Sequence, residues 1–255
     1  MTQPVVYIER DGPVAEVVLN RPEKLNSLSW EMIDRLEQAL KELRDARAVL
    51  IRGEGRAFCA GWDLSQLDNS RDIGQVMRAR VHPVLLGWYS FPVPTIAAVH
   101  GACLGMGLGL AFACDVVIAA EDAVFASPFR RLGAVLDSGG HYHFVRLLGR
   151  HRALELIYTG RRLSAREAEA WGLVNRAVGN EELLPVAREM ARHIADGPTV
   201  AFRLSKEIVL ASDRLDLAGI LEAEAIAQVE AARTQDFREG MRSFREKREP
   251  TFSGS

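Results

Sequence analysis

Apolar and polar residues alternate from Val5 to Arg10 and again from Val14 to Leu19, on either side of Asp11-Gly12-Pro13. A period of two interrupted by a glycine–proline turn predicts a β-hairpin. After the polar loop Asn20–Asn26 the period lengthens. Met32, Ile33, Leu36, Leu40 and Leu43 recur at helical spacing behind Ser29, whose hydroxyl is placed to cap the first turn. The short apolar run from Ala48 to Arg52 reads as a buried strand. Arg71–Ser90 predicts a helix with Pro83 as a kink or break.

Pro94–Val99 predicts another strand, and Leu104–Ala113 a buried helix of small residues. Strands follow at Asp115–Ala120 and Val124–Ala126, then a loop over Pro128–Leu136 and a helix opened by Gly139-Gly140. From Arg150 onward the pattern is helical except for a strand-like piece at Leu173–Ala177. Ser164-Ala165-Arg166-Glu167 fits a capping box, and Asp196-Gly197-Pro198-Thr199 separates two helices. Strand–helix alternation followed by helices predicts an α/β core over residues 1–195 and a C-terminal helical region over 196–255.

The chain has 255 residues, enough to bury a substantial core. A formal net charge of −2 argues against nucleic acid as the main partner and against a polybasic membrane anchor. Only the segment holding Arg242, Arg245, Lys247 and Arg248 is locally basic. Cys59, Cys103 and Cys114 form no Cys-x-x-Cys pair and are odd in number, which suits small buried hydrophobes in a reducing compartment. With no signal-peptide pattern at the start and no apolar run of membrane-spanning length, the expectation is a cytoplasmic enzyme.

Two glycine-rich stretches carry the candidate chemistry: Arg56-Ala57-Phe58-Cys59-Ala60-Gly61-Trp62-Asp63-Leu64, and His100-Gly101-Ala102-Cys103-Leu104-Gly105-Met106-Gly107-Leu108-Gly109-Leu110. Bare backbone N–H groups from two such loops suit the stabilisation of one anionic oxygen. Gly105–Gly109 also invites a dinucleotide fingerprint, but the last glycine that motif needs falls on Leu110. Taken alone, the second stretch is equally compatible with close helix packing and with a ligand loop. A nicotinamide-dependent oxidoreductase ranks third. Asp63 suits a loop brace.

Together these stretches, with Pro94–Val99, Cys114-Asp115, Leu132-Gly133, Asp137-Ser138-Gly139-Gly140, Thr159-Gly160, Ser164-Ala165, Ala168 and Gly172-Leu173-Val174, resemble the crotonase (enoyl-CoA hydratase/isomerase) superfamily over nearly the whole chain. The overall likeness is greatest to the phenylacetate-pathway isomerase type, to which Asp236–Gly240, Phe244, Lys247–Pro250 and Phe252 are also similar. The resemblance implies a spiral of ββα units with a helical trimerisation region, trimers or dimers of trimers, an acyl-CoA thioester as substrate, and no metal or redox cofactor beyond the coenzyme A of the substrate.

The resemblance also implies an oxyanion hole at the backbone N–H groups of Trp62 and Met106, flanked by Gly61, Gly105 and Gly107. It places adenine against the backbone at Cys59-Ala60-Gly61. Lys24 and Arg21 are candidate phosphate partners, though solvated surface cations fit them equally well, and Lys247 is a candidate contact to a neighbouring subunit's nucleotide. Hydratases of the family use two glutamates; their positions fall on Gly109 and Phe129, neither of which moves a proton. Asp137 is the remaining carboxylate. Its turn context suits an N-cap with a lowered pKa, whereas the apolar Leu132, Ala134, Val135 and Leu136 would raise it by desolvation.

The favoured reading is an acyl-CoA isomerase with Asp137 as proton carrier. The alternatives are residual hydratase, dehalogenase or hydrolase chemistry, or a non-catalytic acyl-CoA scaffold. His141 and His143 read as helix surface or pocket lining, and His82 and His100 as packing. Trp62, Trp88, Tyr89, Phe129 and Tyr142 suggest an aromatic pocket, although core packing accounts for aromatics equally well.

Overall fold

The computed structural model describes residues 4–66 and 72–255. The hairpin forms as β1 (Val6–Asp11) and β2 (Val14–Leu19), paired antiparallel from Val6↔Leu19 to Asp11↔Val14. The other strands are β3 (Ala48–Gly53), β4 (Thr95–Val99), β5 (Ala102–Leu104), β6 (Val116–Ala120), β7 (Val124–Ala126), β8 (Leu163–Ser164) and β9 (Arg176–Val178). They build two sheets, β1-β2-β3-β4-β6-β9, parallel beyond the hairpin, and β5-β7-β8. The chain gives β4 to the large sheet, β5 to the small one and then a helix, and repeats this with β6 and β7. Isolated bridges Ala57↔Gly101 and Cys59↔Cys103 align the segment after β3 in the same way. The result is a spiral of ββα units.

The helices are α1 (Trp30–Glu42), α2 (Ile73–Val76), α3 (His82–Tyr89), α4 (Met106–Phe112), α5 (Phe129–Leu132), α6 (Gly140–Thr159, broken at Gly149), α7 (Ala165–Ala170), α8 (Leu183–Ala195), α9 (Thr199–Ala211), α10 (Leu217–Ala231) and α11 (Gln235–Glu246). Ser29 caps α1, its Oγ accepting from the Met32 N–H at 3.2 Å. Ser164 and Glu167 close the capping box on α7.

Strand alternation divides the core. Val49, Ile51, Ala97 and Val99 face α1, α3, α4 and α6, whereas Ala48, Leu50, Ile96 and Ala98 face α8. Ala187, Ala191 and Ala195 recur every fourth residue on α8, and their small side chains let the helix lie close to the sheet.

Several boundaries differ from expectation. Arg71, where the predicted helix starts, lies outside the described residues. Pro83 lies within an uninterrupted helical run, Ile73–Tyr89, and as expected it interrupts the regular pattern there: a wide π-type turn over Met77–Val81 precedes it and accommodates its missing N–H. The small-residue helix begins at Met106 rather than Leu104, since Ala102–Leu104 pairs with β7. The loop Pro128–Leu136 contains the one-turn helix α5, and the strand expected at Leu173–Ala177 runs from Arg176 to Val178.

One buried polar cluster ties α8 to the sheet. Glu16, 6% exposed, accepts from Arg52 at 3.1 Å and from Arg188 on α8 at 2.5 and 2.9 Å. Burial alone would raise the Glu16 pKa, but the two guanidinium groups hold it below the usual carboxylate value. Glu16→Ala is expected to cost about 1–2 kcal/mol, because it removes the buried acceptor of Arg188 and of the Arg52 Nε while Glu9 and Glu54 still pair with Arg52; urea titration of the purified variant checks it.

Candidate active site

The first glycine loop is held along both edges. On one side the Phe58 N–H donates to His100 O (2.8 Å), Cys59 N–H to Ala102 O (3.0 Å), and Leu104 N–H returns to Cys59 O (3.0 Å). On the other, Ala60 N–H donates to Leu25 O (2.9 Å), Leu28 N–H to Gly61 O (2.7 Å) and Asp63 N–H to Leu28 O (3.0 Å). Since Gly61 and Asp63 both bond Leu28, the Trp62 backbone polar groups face away from it. Met106 is the first residue of α4, where helix geometry leaves an N–H without an intrahelical acceptor. Among the described residues neither the Trp62 nor the Met106 N–H has a protein acceptor.

The two amides are neighbours. Gly61 has φ +97°, and a Cβ built on it would lie 2.9 Å from Leu104 O and 3.5 Å from Met106 N. Only glycine permits this approach. Gly105 precedes α4, with the Phe129 ring 3.7 Å from its Cβ position, and Gly107 presses on Cys59 O, 2.3 Å from where its Cβ would be. The structure thus brings Cys59, Ala60, Gly61, Trp62, Gly105, Met106, Gly107 and Phe129 to one place. The Trp62 indole packs edge-on against Trp30 at 4.4 Å.

Asn26 and Asp63 brace the arrangement. Buried Asn26 donates to Glu54 O and Ala57 O at 2.8 and 2.7 Å and accepts from the Arg21 N–H at 2.7 Å. Asp63 accepts from the Ser65 hydroxyl at 2.7 Å and from Arg21 at 2.9 Å. These bonds, from Ser65 first and then Arg21, keep its carboxyl below the ordinary value. Arg21 also donates to Ser27 O at 2.7 Å, so it is committed within the loop rather than presented to a phosphate. Lys24 is exposed in the adjoining turn. Lys247, at the C-terminal end of α11, shares no hydrogen bond or ion pair with this region among the described residues.

Asp137 does not cap α6: Gly139 occupies that position. The carboxyl accepts from the Ser138 hydroxyl at 2.7 Å. Burial pushes its pKa above the usual carboxylate value, while Ser138 and the nearby His82 pull it back. The Asp137–Ser138 turn lies on α4: a Cβ on Gly109 would meet Ser138 O at 2.3 Å and Ser138 Cβ at 2.7 Å. Gly109 is three residues beyond Met106, a rise of about 4.5 Å along the helix. The same contact leaves no space for a glutamate at position 109. Gly107 and Gly109 are therefore accounted for by close packing rather than by a dinucleotide.

A cavity of about 300 Å³ opens beside this turn, lined by Gly109, Ser138, Gly139, His82, Leu85, Leu86, Tyr89, Tyr142 and His143. His82 is thus exposed at the cavity rather than packed. The spacing His82, Leu85, Leu86, Tyr89 is the i, i+3, i+4, i+7 signature of one helix face, which was the available sequence signal. Trp88 belongs to the core, fully buried. Burial pushes the His143 imidazole down to about 4, so it is neutral at pH 7. The cysteines are buried, and burial raises Cys59 and Cys114 to about 12, which removes them as nucleophiles. Among the described residues no three His, Cys, Asp or Glu side chains gather as a metal site, and no helix is long and apolar enough to cross a membrane.

Comparison with known proteins defines the class. The family model for enoyl-CoA hydratase/isomerase matches residues 9–255. The chain is 38% identical over 249 residues to the 1,2-epoxyphenylacetyl-CoA isomerase of Escherichia coli K12, covering 94% of this chain and 95% of that one. It is 39% identical over 251 residues to the enoyl-CoA hydratase domain-containing protein 2 of Bos taurus, covering 94% and 84%. The crystal structure of an enoyl-CoA hydratase from Bacillus anthracis superposes with a TM-score of 0.92 at 35% identity, covering 98% of this chain and 100% of that one. The chain belongs to the enoyl-CoA hydratase/isomerase family and has the crotonase fold. Its relatives carry hydratase and isomerase names alike.

A carboxyl whose folded-state pKa is raised binds its proton more tightly folded than unfolded. The resulting penalty grows as pH rises from the unfolded value through the folded one, and is absent below both. Asp137→Asn is therefore expected to raise Tm by a few degrees at pH 8 and to leave it near wild type at pH 3. Thermal unfolding at the two pH values checks this.

Proposed function

We propose that the chain is an acyl-CoA isomerase in which Asp137 moves one proton while the N–H groups of Trp62 and Met106 hold the thioester oxygen. The carboxylate takes a proton from a carbon activated by the thioester. The C–H electron pair moves into the conjugated system, placing negative charge on oxygen between the two amides. The protonated Asp137 then returns its proton to a different carbon, so substrate and product are isomers and no water is consumed. One oxyanion donor contributes ~3 kcal/mol to such a step, and a positioned acid–base group about a thousandfold in rate.

The observation that carries this reading is the contact of Gly109 with Ser138. It packs Asp137's own turn one helical turn from the Met106 amide and closes the position where a hydratase would need its first glutamate. Phe129 occupies the second. A raised carboxyl pKa suits a group that must both accept and release a proton near neutral pH.

Adenine is assigned to the backbone at Cys59–Gly61, and the CoA phosphates to Lys24 and to Lys247 of a neighbouring copy. The region 196–255 supplies that assembly. Helix α10 buries none of its residues, and Leu217, Leu221, Ile226 and Val229 are exposed. A homotrimer or a dimer of trimers covers them.

Asp137→Asn is expected to lower isomerisation and α-proton exchange in heavy water by about a thousandfold while acyl-CoA affinity stays within about threefold. Wild-type exchange in the variant contradicts the assignment, and water addition without isomerisation by the native enzyme favours hydration. In light scattering the protein is expected to run as a trimer or hexamer, and Leu221→Asp with Ile226→Asp to shift it toward monomer.

A further inference from the structure

The 300 Å³ cavity at the Asp137 turn is not closed by the core. Its far wall is shared with a second cavity of about 850 Å³ between α6, the end of α4 and α9. Tyr89, Tyr142 and His143 line both. Helix α4 runs past the two in order. Met106 offers its amide, Gly109 lines the small cavity, and Phe112 and Ala113 line the large one. From Met106 to Ala113 the helix rises about 10 Å.

The wall is built of hydrogen-bonded aromatic side chains. The Tyr89 and Tyr142 hydroxyls lie 2.7 Å apart with their rings edge-on at 5.7 Å. Tyr142 donates to Asp213, just beyond α9, at 2.6 Å. Arg146 donates to the same carboxylate oxygen at 2.7 Å and lies over the Tyr142 ring at 3.6 Å. The latch is exposed, and the two rings border both cavities. The large cavity beyond is mainly apolar, with Phe112, Leu147, Val174, Phe202 and Leu210 among its lining residues.

We propose that the Tyr89–Tyr142 pair, latched by Asp213, is a specificity-determining partition that limits the length of the acyl group, and that the apolar cavity behind it receives the distal end of a longer acyl chain when the partition opens. This rests on the acyl-CoA reading of the site. An acyl chain whose thioester oxygen lies at the Met106 amide and which follows α4 past Gly109 meets the tyrosine pair before it reaches Phe112. A short or ring-sized acyl group ends in front of the pair. A longer one gains burial only by displacing Tyr142, which breaks its bonds to Tyr89 and Asp213.

The test is calorimetric binding of two unreactive saturated thioesters, butanoyl-CoA and dodecanoyl-CoA, to the native protein, to Tyr142→Ala and to Asp213→Ala. Each methylene newly buried is worth about fourfold in affinity. In Tyr142→Ala the ratio of dodecanoyl to butanoyl affinity is expected to rise at least about tenfold over the native ratio. Asp213→Ala, changed on an exposed loop and keeping the ring, is expected to move it the same way by about threefold. Should Tyr142→Ala not fold, the Asp213→Ala ratio decides. Native ratios in the variants that fold overturn the partition while leaving the isomerase reading intact. Failure of the native protein to bind butanoyl-CoA overturns the acyl-CoA reading and the partition with it.

Discussion

The site depends on one constraint: two peptide N–H groups from different turns of the spiral are kept close together and have no acceptor among the described residues. An unpaired buried amide costs about 1–3 kcal/mol, so the surrounding bonds must hold what the fold would otherwise relax. They do so by saturating the neighbours. Cys59 is paired on both its polar groups with the Ala102–Leu104 strand, and Gly61 and Asp63 are paired with Leu28. Only the Trp62 amide is left over. Asn26, fully buried, fixes the loop that carries Leu28 by bonding Glu54 and Ala57. Fixed amide dipoles need no reorganisation when charge develops beside them.

The carboxylate in the turn packed on Gly109 follows the same logic. Asp137 is not at a helix cap, where amides would hold it ionised; it is two residues before, half buried, with a hydroxyl as its hydrogen-bond donor. Desolvation then decides its proton affinity. A group in that condition destabilises the fold when ionised, a cost that the proposed acid–base role of Asp137 would explain. Neutral His143 and the tyrosine pair line the adjoining cavity, and none of its lining residues among those described is a carboxylate; Asp137 borders it through its neighbour Ser138.

Much of this was legible in the residues. The hairpin, α1 and the strand alternation follow from strict periods, and the two glycine loops announced themselves because only close backbone approach explains so many small residues together. The π-type turn before α3 and the one-turn helix α5 were not legible, because both are set by what they pack against rather than by local pattern. The cavity was hidden for a related reason: His82, Leu85, Leu86 and Tyr89 form a helix stripe that reads the same whether it faces a core or a void. Trp88 and Tyr89 are adjacent, yet one is core and the other cavity wall. Arg21 and Lys24 look alike in sequence, but Arg21 is bound to Asp63, so only Lys24 stays free of that brace.

The proposed chemistry turns on the polarisation of a thioester carbonyl by the Trp62 and Met106 amides. The most direct measurement is the difference infrared spectrum of an acyl-CoA labelled with carbon-13 at its thioester carbonyl, free and bound. The account predicts that the labelled stretch moves to lower frequency on binding, and that it does so equally when Asp137 is replaced by Asn. A band unshifted from its position in water would contradict it.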